Sequence, residues 1–181
     1  ALHHRRPAGA RVAAARRDLV ARLAPEAAVL QHRVGGGQES LALRYEDASP
    51  GGLAAALEGS RGEESRRRVT VAGPHRDDLA LEVNALAAAS FASEGQQRTL
   101  ALALKLAQAG VLRAAVGRWP LLLLDDIFGE LDPERRHRLW TALPPEAQCL
   151  VTATSLAWLR QEGDRPLRVR CVADGRIHEP G

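Results

Sequence analysis

The sequence predicts an α/β fold, on three observations. Short apolar runs of strand length alternate along the chain with segments of helical period. Leu121–Leu124 is an unbroken leucine run that suits a strand buried on both faces of a parallel sheet, and it ends in two carboxylates, Asp125 and Asp126. Thr99 to Val116 is apolar nearly all round, which predicts a buried helix.

The elements follow in order. Ala10–Leu23 reads as a helix with Val12, Ala15, Leu19 and Leu23 at helical spacing, and Pro25 is placed to open a second helix through Leu30. Gly35-Gly36-Gly37 is a turn. Leu41–Tyr45 alternates as a strand does, and Ser49-Pro50-Gly51-Gly52 turns the chain into a short helix, Leu53–Glu58. Gly59–Arg68 is a charged, exposed loop with Arg61, Arg66, Arg67 and Arg68. The boundary between two units, 1–66 and 67–181, is placed at its end. Arg68–Ala72 and Leu79–Val83 read as strands, separated by the turn Gly73-Pro74-His75-Arg76-Asp77-Asp78. That turn fits an Asx-type structure held by an Arg–Asp pair, and equally a conformational sensor or DNA-contacting loop. Asn84-Ala85 is a hairpin turn. Gly117 ends the long helix, and Pro133 opens a helix to Leu143 with Arg135, Arg136 and Arg138 outward. Cys149–Thr152 is a parallel strand and Leu156–Gln161 a short helix. Leu167–Val172 and Arg176–His178, joined by Asp174-Gly175, form a closing hairpin.

Composition sets bounds. At 181 residues, 45% hydrophobic, the chain holds one sizeable domain or two small ones. Of its 25 basic residues all but Lys105 are arginine, and a net charge of +3 permits nucleic-acid binding without establishing it. Cys149 and Cys171 lie in apolar runs at no metal-ligating spacing and read as buried free thiols, which suits a reducing cytoplasm. There is no signal peptide and no run of about 18 apolar residues, so secretion and membrane spanning are not expected.

Chemistry concentrates between Ser93 and Asp132. Ser93 followed by Gln96 is a capping box, S-x-x-Q. Gly95 sits in the first helical turn, where a glycine weakens the helix but lets a bulky group approach the backbone. The unpaired N–H groups and the positive end of the dipole favour an anion there, and Arg98 adds a cation one turn in. An ordinary helix cap has the same features. Asp125 and Asp126, at the C-terminal end of a buried strand, repel one another unless a cation lies beside them. Magnesium takes one or two carboxylates and completes its shell with phosphate oxygens and water. In that reading Asp125 holds Mg2+ and Asp126 orients or deprotonates an attacking water. A helix N-cap pair or a solvated turn is the plain alternative.

These residues carry a resemblance. Ser93-Glu94-Gly95-Gln96-Gln97-Arg98 resembles the signature motif of ABC-type ATPases, Leu121–Asp126 their Walker B strand, and Gly129-Glu130-Leu131-Asp132 their D-loop. With Gly73–Leu79 ahead of them, the order and spacing over residues 73 to 155 resemble the RecF family, a branch of the SMC-like ABC ATPases. The resemblance implies the C-terminal part of a P-loop ATPase head, residues 67–181, preceded by part of a helical arm lobe, 1–66. It implies ATP and Mg2+ as cofactors, with Ser93, Gly95, Gln96, Arg98, Asp132 and Thr154 facing nucleotide, Asp125 on the metal and Asp126 catalytic. It further implies an ATP-dependent homodimer that binds DNA at single-strand gaps and single-strand/double-strand junctions. Such a protein works with the RecR and RecO mediators to load recombinase in DNA repair and replication, in the cytoplasm, within the SOS response. In such dimers the signature turn of one subunit closes over ATP held by the other.

Two departures qualify this. The class needs a Gly-rich loop ending in Gly-Lys-Ser/Thr, and the sequence contains none: its single lysine, Lys105, lies inside the apolar helix. The chain also has no methionine, so a C-terminal fragment, inactive alone as an ATPase, is the expectation. Second, Thr152-Ala153-Thr154-Ser155 stands where many ABC ATPases carry a γ-phosphate-sensing histidine; Thr154 or Ser155 is the substitute. The rival reading is a non-catalytic scaffold derived from such a head.

Overall fold

The computed structural model describes residues 2–161 and 166–179. Helix α1, Leu2–Val34, runs unbroken through Pro25, where two helices were expected. Pro25 is exposed, so the carbonyl its missing N–H leaves unpaired can be hydrated. Both neighbouring turns are held from inside. The inward stripe is Val20, Leu23, Ala27, Gln31 and Val34, and Val12 and Leu19 are exposed. Among the described side chains of its first half none is buried; Gly9 lies against Leu53 and Pro74, and Arg17 pairs with Asp47 at 2.8 Å.

Strand β1, Leu41–Glu46, pairs antiparallel with β2, Asp78–Val83, in the register Leu41↔Val83 and Leu43↔Leu81. Strand β3, Leu86–Ala87, closes a hairpin on β2. Its turn residues Asn84 and Ala85 both have positive φ, 52° and 62°, the mirror-image turn that matches strand twist. Between β1 and β2 lie helices α2, Leu53–Gly59, and α3, Arg61–Arg67. The expected charged loop is thus helical, with Arg67 paired to Glu63 one turn back at 3.0 Å. Arg68 caps α3 in a left-handed conformation, and Arg68–Ala72 is not a strand; the Val71 N–H is taken by the Glu64 carboxylate at 2.9 Å.

The turn at Pro74–Arg76 is a single 3-10 turn. Asp77 does not pair with Arg76. It accepts from the Tyr45 hydroxyl and from the Ala48 N–H (3.0 Å), and Arg16 donates to the Pro74 carbonyl. This ties the turn to β1 and α1. Burial, and then the Asp77 hydrogen bond, push the Tyr45 phenol above its ordinary value.

Helix α4, Ala88–Phe91, leads into α5, Glu94–Val116, which Gly117 ends in the left-handed region at φ 79°. α5 lies along α1, with Ala27 and Ala107 fully buried between them. It is buried on one side only, at Thr99, Leu100, Ala103, Leu106, Ala107, Ala109 and Val111. Its outward side mixes polar residues, Gln97, Arg98, Lys105, Gln108 and Arg113, with alanines and with Leu112 and Val116 in water. By length and composition alone it could cross a membrane; in the fold it packs along α1 as a core helix.

Strand β4, Leu122–Asp125, pairs parallel with β5, Cys149–Thr152, in the register Leu122↔Cys149 and Asp125↔Thr152. Helix α6, Pro133–Ala142, connects them, and a 3-10 turn follows at Ala157–Gln161. The expectation of burial on both faces fails. Leu123 is 66% and Leu150 61% exposed, because α6 and the core cover only one face of a two-stranded sheet. On the covered face Phe128, fully buried, stacks on Trp158 at 4.7 Å and meets Trp140 edge-on at 5.7 Å. Strands β6, Cys171–Ala173, and β7, Arg176–His178, form the closing hairpin. It is shorter than expected, and Cys171 on it is exposed, whereas Cys149 is half-buried.

Candidate functional site

The sequence motifs converge on one end of the β4–β5 pair. Parallel strands end on the same side, so Asp125 and Thr152 are register partners. The Thr152 hydroxyl donates to Asp125 Oδ1 at 2.5 Å. The Asp126 N–H is shared between the Thr152 carbonyl, 3.2 Å, and its hydroxyl, 3.0 Å. Asp126 adopts φ 48°, a left-handed conformation that aspartate tolerates better than most residues. Its carboxylate lies over Gly129: a Cβ there would be 3.2 Å from Asp126 Oδ1. Asp125, Asp126 and Thr154 are all exposed, Thr154 two residues past the end of β5.

From Asp126 the chain bends through Phe128 to Asp132. Arg136 holds this bend from inside, its Nε donating to the Phe128 carbonyl at 2.7 Å and its Nη2 to the Leu131 carbonyl at 2.8 Å. The buried Phe128 ring anchors the bend in the aromatic cluster. Asp132 then caps α6, accepting the Arg135 N–H at 2.9 Å, with Pro133 in the first turn.

Opposite this bend stands the start of α5. The capping box at Ser93 is complete. The Gln96 N–H donates to Ser93 Oγ at 3.3 Å, and the Ser93 N–H to Gln96 Oε1 at 2.9 Å. Arg98 reaches across to the Glu130 carbonyl at 2.9 Å, with the Glu94 and Glu130 carboxylates at 3.8 and 3.7 Å. Arg135 Nε would be 3.8 Å from a Cβ on Gly95, and it lies 3.4 Å from Asp132 Oδ2.

The structure therefore makes two groups of the predicted residues. Ser93, Gly95, Gln96 and Arg98 stand with Asp132; Asp125 and Asp126 stand with Thr152, and Thr154 lies just beyond. The bend 127–131 joins the groups. Among the described residues, no hydrogen bond or ion pair links the Ser93–Gln96 turn directly to Asp125, Asp126 or Thr154.

Arg135 and Arg136, expected outward, turn inward: Arg136 donates to two carbonyls of the bend, and Arg135 to Thr99 and the buried Glu39 carboxylate. Four further residues to which the motifs assign no role also shape the site: Gln31, Glu39, Thr99 and Thr152. A polar residue at an inward position of an apolar helix, as Thr99 is, was the available signal. Glu39 had none, since its burial depends on chain 96 residues away.

Among the described residues no cluster of three His, Cys, Asp or Glu side chains is arranged to hold a metal. The donor set fits Mg2+ in a narrower sense: one carboxylate oriented by Thr152 and a second beside it, exposed, suit an ion whose remaining ligands are phosphate and water. Asp125 would hold such an ion, leaving Asp126 beside it free to orient water.

No protein-family model matches the chain. A DNA replication and repair protein RecF of Gloeobacter violaceus is 39% identical over 175 residues, covering 91% of the chain and 47% of the relative. The chain thus spans about half the length of the curated relatives it matches. A solved structure of the recombination mediator RecF with ATP, from the RecFOR pathway, superposes with a TM-score of 0.74 at 25% identity, over 96% of the chain and 47% of that protein. A solved SMC ATPase, from work on ATP-driven dimerization and DNA-stimulated activation, superposes with a TM-score of 0.57 at 14% identity over 92% of the chain. That second likeness is one of fold.

Proposed function

The chain belongs to the RecF family and spans a little under half its members' length, and on that premise we propose that it supplies the trans-acting half of an ATP-dependent DNA-binding head. In this reading Ser93, Gly95, Gln96 and Arg98, with Asp132, face nucleotide held by a second subunit. Asp125 holds Mg2+, Asp126 positions water for hydrolysis, and Thr154 senses the terminal phosphate. The assembly is an ATP-dependent homodimer acting on DNA at single-strand gaps and junctions, with RecR and RecO, to load recombinase in the cytoplasm. Residues 1–66 belong to the arm lobe and 67–181 to the head. That division is one of role rather than of folding, since the β1–β2 ladder crosses it.

One observation carries this reading. Arg98 and Arg135 bind the signature-like turn to the bend at Glu130–Asp132, while among the described residues no hydrogen bond or ion pair joins the turn to the Asp125–Asp126 pair. A turn held rigidly beside its own D-loop-like segment, with Ser93 exposed, is built to meet something outside its own subunit. When Mg2+ and ATP are bound, the ion neutralises phosphate charge. The protein's part is to orient: Thr152 fixes the Asp125 carboxylate, and Asp126, its backbone left-handed, carries the second carboxylate over Gly129.

The test uses the full-length protein carrying a Gly-Lys-Ser/Thr loop. Ser93→Arg is expected to bind ATP like the parent yet fail to dimerise, because a bulky cation replaces the cap at the turn. Asp126→Asn is expected to retain the ATP-bound dimer and lose turnover. If both variants hydrolyse ATP and sediment like the parent, the composite site is wrong and a scaffold role replaces it.

A further inference from the structure

We propose that Glu39 is a positioning residue for this site: acting through Arg135, it sets the placement of the Gly95 turn relative to Asp132 and ties both to helix α1. The inference rests on the trans-acting reading above.

Glu39 follows the triple-glycine turn, and its side chain is 7% exposed. A carboxylate so far from water is unfavourable unless each oxygen is matched. Here Oε2 accepts from Gln31 Nε2 at 2.6 Å and Oε1 from Arg135 Nη2 at 2.7 Å. Gln31 is fully buried on the last turns of α1. Gly35 admits the carboxylate; a Cβ there would lie 2.6 Å from Glu39 Oε2.

The remaining nitrogens of Arg135 face the site. Nη1 donates to Thr99 Oγ1 at 2.8 Å, and the Thr99 hydroxyl donates to the Gly95 carbonyl at 2.8 Å. Nε lies 3.4 Å from Asp132 Oδ2. One planar guanidinium therefore touches the carboxylate of the bend and, through Thr99, the backbone of the turn, while Glu39 fixes the plane in which it lies. Lysine has no such fork. A buried ion pair can be replaced by apolar residues of similar volume with little loss of stability. What such a replacement removes is orientation, and the pair points at two of the residues assigned to nucleotide.

The test compares Glu39→Gln, Arg135→Lys and the double apolar replacement Glu39→Leu/Arg135→Met. Amide exchange, thermal melting, ATP affinity and ATP-dependent sedimentation are followed on the full-length protein. Glu39→Gln and Arg135→Lys should speed exchange at Gly95–Thr99 and Asp132–Arg135 about tenfold, with β4 and the rest of α5 unchanged. The double variant should recover the parent melting temperature but keep the faster local exchange. Its ATP-dependent dimer should be weakened about tenfold at unchanged ATP affinity. If the double variant restores exchange and dimerisation together with melting, or if exchange rises evenly across the chain, the pair is merely structural and the proposal is overturned. Should Glu39→Gln not fold, the double variant decides alone. Ser93→Arg in the same sedimentation assay separates the premise: if it dimerises like the parent the composite site fails, while the exchange pattern still decides the role of Glu39.

Discussion

At the scale of single residues the two adjacent aspartates are not equivalent. Asp125 ends a strand and receives the Thr152 hydroxyl, whereas Asp126 has left the strand through a left-handed backbone and lies over Gly129. Asp125→Ala should therefore weaken magnesium-dependent ATP binding in the full-length protein, measured by titration with and without the metal. Asp126→Asn should spare binding. Gly129→Ala tests the geometry between them. Its new methyl would press on the Asp126 carboxylate, and turnover should fall while ATP affinity holds; unchanged turnover would show that the carboxylate has room to move.

At the scale of elements, the bend between β4 and α6 is held by an aromatic ring and an arginine rather than by regular hydrogen bonding. Phe128→Ala should cost about 3–5 kcal/mol, read by denaturant unfolding, far more than the ~1 kcal/mol expected for removing the Ser93 cap with alanine. The β1–β2 ladder offers a pH test. The Arg44 guanidinium, hydrogen-bonded diagonally across the ladder to Glu82, holds the Glu82 carboxyl below its ordinary value. A carboxyl lowered in the fold contributes stability above the unfolded value of 4.5 and loses it as pH falls through the folded value. Both side chains are at the surface, so the effect is small and screened by salt. Glu82→Gln should lower neutral stability slightly, leave stability below the folded value unchanged, and so flatten the acid limb of the curve.

At the scale of the whole molecule, the β4–β5 sheet has one covered face and one bearing Leu121, Leu123 and Leu150 in water. The carboxylates stand at the end of that sheet without a phosphate-cradling loop anywhere in the sequence. The 181-residue chain alone should therefore not hydrolyse ATP; magnesium-dependent turnover that Asp126→Asn abolishes would contradict this. For the full-length protein, arginine–phosphate contacts predict DNA affinity that falls steeply with salt. A binding constant flat between low and moderate salt would exclude a phosphate-tracking surface.

What the sequence determined by itself was local. The Ser93 capping box, the positive-φ turn at Asn84-Ala85, the Gly117 stop, the Pro133 start and the strand ending in Asp125 each depend on residues within a few positions of one another, and each is where the motifs put it. What only the tertiary structure decided depended on distant chain. Pro25 stays within one helix because α5 and β1 hold the chain on both sides of it. Arg68–Ala72 is no strand, because Glu64 and the α3 cap claim its backbone. Arg135 and Arg136 of α6 face inward because a buried carboxylate from elsewhere and a bend need partners. Propensity and capping act over one or two turns and can be read along the chain. Burial of a charge is set by whichever distant group arrives to match it, and no local pattern encodes that.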